Sequence, residues 1–108
     1  MALQQQHCEA CRADAPRISD EEAGKLRGEI PDWKQVEEDG EEKLQRQFKF
    51  KDFPAALGWM VQMGTIAERM NHHPEWSNVY NRVDVRLTTH DAGGLTKLDL
   101  QLALAMST

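Results

Sequence analysis

The sequence predicts an α+β fold in which an antiparallel sheet carries helices packed on one face. Three observations predict it. Asp39-Gly40 lies between two extended stretches and is a strong two-residue hairpin signal, because glycine adopts positive φ without steric cost. Ala56, Met60, Met63, Ala67 and Met70 recur at three- and four-residue steps, which makes a buried helical stripe. Val79, Val83, Val85 and Leu87 share one parity of a third extended stretch. Hairpin-built strands interspersed with helices favour an antiparallel sheet covered on one side. With 108 residues, the chain holds a single domain.

Taken in order, residues 1–17 read as a flexible tail: they are polar, lack apolar periodicity and end near Pro16. The folded domain is expected over 18–108. Ser19 with Glu22 has the spacing of a capping box, and Ala23, Leu26 and Ile30 continue at helical spacing until Pro31 stops the helix. Trp33 to Phe50 reads as the hairpin. Leu44, Phe48 and Phe50 share a parity that Arg46 interrupts, and Trp33 and Val36 have opposite parity, which predicts a bulge or a late strand start. Asp52 is placed to cap the next helix, with Pro54 in its first turn. Trp59 and Ile66 flank its buried stripe, and Pro74 closes it at about Asn71–His73. An extended segment of one or more strands is then expected around Val79 to His90, with Tyr80, Arg82, Asp84, Arg86, Thr88 and His90 on the face opposite the valines. Gly93-Gly94 breaks it. Thr96 and Asp99 form a second capping-box pair, opening a helix whose core face is Leu98, Leu102 and Ala105.

Composition narrows the function. Thirteen Lys and Arg against 18 Asp and Glu leave a net charge of −5, a poor match for nucleic acid or an anionic membrane surface. The longest uncharged run, Phe53 to Ala67, is too short and too polar to span a bilayer. No basic cluster followed by an apolar core opens the chain, and Cys8 and Cys11 do not suggest an oxidised scaffold, so a cytoplasmic location is expected.

The chemistry concentrates in the second half, at His72, His73 and His90. Glu68 precedes His72 by four residues, which places both on one helical face. Carbonyls at a helix C-terminus favour imidazolium, while adjacent imidazoles oppose double protonation, so a His-His pair there suits acid/base work. If His90 approaches that helix end, three imidazoles share one pocket. A solvated cap is the plainer reading of His-His-Pro. A metal site is a third, although adjacent histidines suit one ion poorly and the HExxH spacing is absent. Capping alone accounts for Asp99. The methionine stripe reads as core, and Trp33 and Trp76 either stack on a flat heterocycle or belong to the core. His7-Cys8-Glu9-Ala10-Cys11 has half the spacing of a zinc site and reads more simply as reduced thiols on a flexible arm.

The stretch Glu68-Arg69-Met70-Asn71-His72-His73-Pro74-Glu75-Trp76, continued by Leu87-Thr88-Thr89-His90 and Gly94-Leu95-Thr96-Lys97-Leu98-Asp99, closely resembles the signature of the pterin-4a-carbinolamine dehydratases. Pro31-Asp32-Trp33 and Phe48-Lys49-Phe50-Lys51-Asp52-Phe53 extend the resemblance, which covers about residues 19–106. It implies a two-layer fold with a four-stranded antiparallel sheet and helices on one face, assembled as a dimer or tetramer. It implies a hydro-lyase that converts 4a-hydroxytetrahydropterin, such as 4a-hydroxytetrahydrobiopterin, to quinonoid dihydropterin and water, recycling the pterin cofactor of aromatic amino acid hydroxylases. Neither a metal nor an organic cofactor is implied, and such a hydroxylase is the implied protein partner. By the same resemblance His72, His73 and His90 are the catalytic histidines, with His72 and His90 as the acid/base pair and His73 orienting the pterin. Pro74, Thr89, Asp91, Trp33, Glu68 and Asp99 fall at substrate-pocket positions. Asn71 departs from the pattern, standing where many relatives carry an acidic residue. The family also implies an alternative of another class, a protein-binding dimerisation cofactor of a homeodomain transcription factor.

Overall fold

The computed structural model describes residues 28–107, together with Glu21 and Gly24. The expected tail and the Ser19–Glu22 capping box lie outside the described residues. Glu21 and Gly24 have helical backbone, and the Gly28 N–H donates to the Gly24 carbonyl at 3.4 Å. Ile30, just before Pro31, is buried.

Strand β1 (Lys34–Glu38) and strand β2 (Glu41–Lys49) form the predicted hairpin. Asp39 (φ 55°) and Gly40 (φ 77°) both occupy the left-handed region, which lets a two-residue turn follow the twist of the strands. The register runs without interruption from Lys34↔Gln45 to Glu38↔Glu41. The strand thus starts late, at Lys34, with no bulge, and Trp33 and Val36 stay on opposite faces: Val36 pairs with Lys43 on the charged face while Trp33 packs in the core. Helix α1 (Phe53–Met70) begins as expected, the Asp52 carboxylate accepting the Ala55 N–H at 2.9 Å. Ala56, Met63 and Ala67 are buried, with Trp59, Met60, Ile66 and Met70 packed beside them.

The extended segment left open as one strand or more is a second hairpin, and it starts earlier than Val79. Strand β3 (Glu75–Val79) and strand β4 (Arg82–Leu87) are joined at Tyr80–Asn81. Tyr80 takes φ 52°, an unusual conformation for a bulky side chain. The turn is held from both sides: the Asn78 amide donates to the carbonyls of Tyr80 (3.0 Å) and Arg82 (2.8 Å), and the Asn81 amide donates to the Phe50 carbonyl (2.8 Å). Val79 therefore pairs with Arg82 and leaves the valine face, and its side chain is exposed.

The four strands are all antiparallel, in the order β1-β2-β4-β3. Leu44, Phe48, Val83, Val85, Leu87 and Trp76 point to the helix-covered face. There Phe48 packs on Trp59 (ring centroids 4.4 Å) and on Trp33 (5.8 Å). Arg46 shares this face, its guanidinium 4.3 Å from the centre of the Phe48 ring and 3.3 Å from Ser107 Oγ. The charge that interrupts the apolar pattern thus rides at the rim of the core. Helix α2 (Lys97–Met106) closes the layer and buries Leu98, Leu100, Leu102, Ala103 and Met106. Ala105, expected in its core face, is only half buried. Among the described residues no helix covers the opposite face of the sheet, which is charged, with Arg86 paired to Glu38 and Asp84, and Lys43 bridging Glu38 and Glu75.

Candidate active site

Helix α1 ends at Asn71, which takes the left-handed conformation (φ 52°) that asparagine tolerates well. The chain reverses there, and Pro74 keeps the following segment extended into β3. This turn separates the two adjacent histidines. His72 folds inward and is 6% exposed, whereas the His73 side chain is 58% exposed. Glu68 therefore does not share a helical face with His72. Its carboxylate lies 2.7 Å from Nε2 of His73 instead, because the left-handed turn moves the next residue back over the last helical turn.

His72 meets Asp99 in the interior, Nε2 to Oδ1 at 2.6 Å. Asp99 is fully buried. Its other oxygen, Oδ2, accepts the Thr96 N–H (2.9 Å) and the Thr89 hydroxyl (2.9 Å). The Thr96 hydroxyl lies 2.8 Å from that of Thr89 and accepts the Leu98 N–H, which completes the predicted capping box. The expected cap of α2 is present, and the same carboxylate also holds His72. An ionised carboxylate only accepts hydrogen bonds, so Nε2 of His72 carries a proton, and in the neutral ring Nδ1 is left as the acceptor.

His90 is not on a strand. It opens a 3₁₀ turn, His90–Ala92, three residues beyond the end of β4. Main-chain bonds between Thr89 and Gly94 pin the base of this loop, and Gly93 at φ 75° closes it. His90 still emerges on the face opposite the valines. Its Nδ1 lies 3.0 Å from Glu41 Oε1 and 3.2 Å from Oε2, and its Nε2 lies 3.5 Å from Glu75 Oε2. Burial pushes the Glu41 carboxyl up. Hydrogen bonds from Thr88 and His90, with the charges of His90 and Lys43, more than offset this and hold it below the usual carboxylate range. The hydrogen bond to Glu75 raises the Lys43 ammonium above its ordinary value.

His72 reaches Thr89, the neighbour of His90, through Asp99, and His90 touches Glu75, two residues beyond His73. Pro74 is half buried and Asp91 is exposed on the loop. Trp33 stands apart: it is buried against Phe48, donates from its indole N–H to Ser107 Oγ (3.0 Å) and lies at the far end of β1 from Glu38. Trp76 packs 6.2 Å from Trp59. Glu41, Glu75, Lys43 and Thr88 were not singled out from sequence. Glu75 is within the His-His-Pro-Glu-Trp run, but the neighbours of Glu41 become visible only once β2, β4 and β3 are paired.

The profile of the family described as pterin 4 alpha carbinolamine dehydratase matches residues 16–108. A protein of Bradyrhizobium diazoefficiens assigned by name to that dehydratase family is 48% identical over 93 residues, covering 86% of this chain and 91% of its own length. One from Rhodopseudomonas palustris, with the same assignment, is 50% identical over 91 residues, covering 84% and 88%. A Brucella melitensis crystal structure, described as a transcriptional coactivator/pterin dehydratase, superposes with a TM-score of 0.77 at 44% identity, covering 85% of this chain and 96% of its own.

Proposed function

The chain belongs to the pterin 4 alpha carbinolamine dehydratase family, and on that premise we propose that it dehydrates 4a-hydroxytetrahydropterins to quinonoid dihydropterins by histidine acid/base catalysis. The observation that carries this reading is the hydrogen-bonded chain from His72 through Asp99 and Thr89 to the loop bearing His90. It fixes the buried imidazole of His72 and ties it to the residue preceding the exposed His90. In the reaction the C4a–O bond breaks and the oxygen leaves as water with a donated proton. The N5–H bonding pair becomes the C4a=N5 double bond as that proton is removed. His72 and His90 serve as the acid/base pair, each contributing a factor of ~10²–10⁴. His73, held by Glu68, orients the pterin, with Pro74, Thr89 and Asp91 as the surrounding contacts. The product fits the recycling of the pterin of an aromatic amino acid hydroxylase in the cytoplasm, and no metal takes part.

The test is the loss of a 4a-hydroxytetrahydropterin generated by a hydroxylase, followed before and after exhaustive chelation. Chelation leaves the rate unchanged, His72→Ala and His90→Ala each lower it strongly, and His7→Ala leaves it unaltered. Activity abolished by the chelator and restored by zinc would refute the metal-free mechanism.

A second property is supported by α1. Phe53, Leu57 and Val61, at four-residue steps, leave 43%, 47% and 65% of their surfaces exposed on the side away from the sheet. We assign this stripe to self-association as a dimer or tetramer. The same stripe is where a transcription-factor partner would bind under the alternative reading, which the description of the Brucella neighbour as a coactivator favours.

A further inference from the structure

The histidine at the end of the charged sheet face is set in a frame of four side chains. Glu41 follows the Asp39–Gly40 turn directly, and its pairing with Glu38 closes the first hairpin. The Thr88 hydroxyl lies 2.8 Å from Glu41 Oε1 and 3.0 Å from the Glu42 carbonyl, so the carboxylate is anchored from the chain leaving β4. Both Glu41 oxygens face Nδ1 of His90. On the other side of the ring, Glu75 turns Oε2 toward Nε2 at 3.5 Å, while its Oε1 is held 3.0 Å from the Lys43 ammonium.

We propose that Glu41 is a positioning residue for His90: it holds the ring by Nδ1–H and so assigns the proton-transfer work to Nε2. The inference rests on the dehydratase reading for its effect on rate, but not for the tautomer. The physical basis is the inventory of an imidazole. A neutral ring has one N–H and one lone pair, and a carboxylate accepts only, so the nitrogen that faces Glu41 carries the hydrogen. The lone pair is then on Nε2, the atom opposite the anchor. Glu75 lies 3.5 Å from that nitrogen, beyond the distance of a good hydrogen bond, and is tied elsewhere by Lys43, so a substrate group can take its place. During turnover Nε2 accepts the N5 proton, or as imidazolium gives one to the departing hydroxyl, while Nδ1–H stays on Glu41 throughout. Holding an acid/base group in line removes a search over ring orientations, and a misplacement of about 1 Å is enough to cost ~10²-fold.

The full-length protein with ¹⁵N-labelled histidine tests this by NMR of the ring nitrogens, alongside turnover. In the wild type the neutral His90 ring carries its hydrogen on Nδ1. Glu41→Ala moves it toward Nε2 and lowers kcat by about 10–100-fold with little change in KM. Glu41→Gln, which keeps an oxygen for Nδ1–H, restores the wild-type tautomer and most of the rate. Thr88→Val, which removes the anchor of Glu41 and keeps its shape, gives an intermediate loss. A neutral wild-type ring protonated on Nε2, or an unchanged kcat in Glu41→Ala, would overturn the inference. A wild-type protein with the Nδ1–H tautomer and no pterin turnover would refute the dehydratase reading and leave the tautomer assignment standing.

Discussion

Both oxygens of Asp99 are engaged, one by His72 and the other by Thr96 and Thr89, and the carboxylate is fully buried. A residue that only capped α2 would tolerate Asn, which keeps an acceptor. Here an amide must turn its NH₂ either toward the Thr96 N–H, which sets donor against donor, or toward His72, which forces Nε2 to become the acceptor and moves the ring hydrogen to Nδ1. Asp99→Asn is therefore expected to lose activity as well as stability. Asp99→Ala, which removes the cap and strands the partners, is expected to be the less stable of the two, by about 1–3 kcal/mol relative to wild type. Thermal midpoints and turnover of both variants check this, and an Asn variant with wild-type turnover would show that capping alone matters. Glu41 gives a second expectation at this scale. Its folded carboxyl lies below the ordinary 4.5, so the stability it contributes is complete above that value and is lost as pH falls toward the lowered one. Glu41→Gln should flatten the acid side of the melting-temperature profile below about pH 5, and an unchanged slope would show that the carboxylate is not linked to folding. Asp99 was legible in sequence as a cap because Thr96 lies three residues away. Its second role was not, because His72 is 27 positions distant and only the packing of α2 on α1 joins them.

The elements that sequence revealed and the one it concealed differ in their turn chemistry. Asp39-Gly40 announces a hairpin because glycine carries the positive φ at no steric cost. Asp52 and Thr96 announce helix starts because their side chains replace missing main-chain partners. Tyr80-Asn81 announces nothing. A tyrosine at φ 52° contradicts its own local preference, and the turn depends on Asn78 and Asn81 bonding main-chain carbonyls, one of them 31 positions away in Phe50. Without a visible turn, Val79 joins the valine series and β3 disappears into its neighbour. His90 was assigned to the correct face for the same parity reason, yet to a strand instead of the loop that presents it. If Tyr80 is strained, Tyr80→Gly relieves it, and stability should rise or hold despite the greater freedom of the unfolded chain. A left-handed residue costs ~1–2 kcal/mol that glycine avoids, against a glycine penalty of ~0.5–1 kcal/mol. Gly40→Ala makes the converse change at φ 77°, where an added methyl meets no atom within 4 Å, so backbone strain alone should lower the thermal midpoint. A Tyr80→Gly variant markedly less stable than wild type would instead mean that the exposed ring contributes contacts of its own.

At the scale of the whole molecule, the sheet divides two kinds of work. Its helix-covered face holds the core and the buried His72–Asp99 pair, and its charged face holds Glu41, Glu75, Lys43 and His90. The site straddles the end of the sheet where these faces meet, so it needs the four strands in register but not the outer surface of α1. That surface carries Phe53, Leu57 and Val61 in a line. Exposing three large apolar side chains in one stripe is unfavourable in water at ~25 cal/mol per Å², and covering them in a symmetric contact with a second copy recovers that term. Replacing Leu57 and Val61 together by lysine places two like charges on each copy, eight across a tetramer, at the contact. The double variant should keep its helical circular dichroism, because neither side chain is in the core. By sedimentation it should run smaller than the wild type at matched concentration, and the wild type should gain mass as concentration rises. Turnover per chain should survive, since Glu41, His72, His90 and Asp99 remain in their own chain's network. A double variant with the mass of the wild type would remove α1 from the assembly and assign its stripe to a different protein partner.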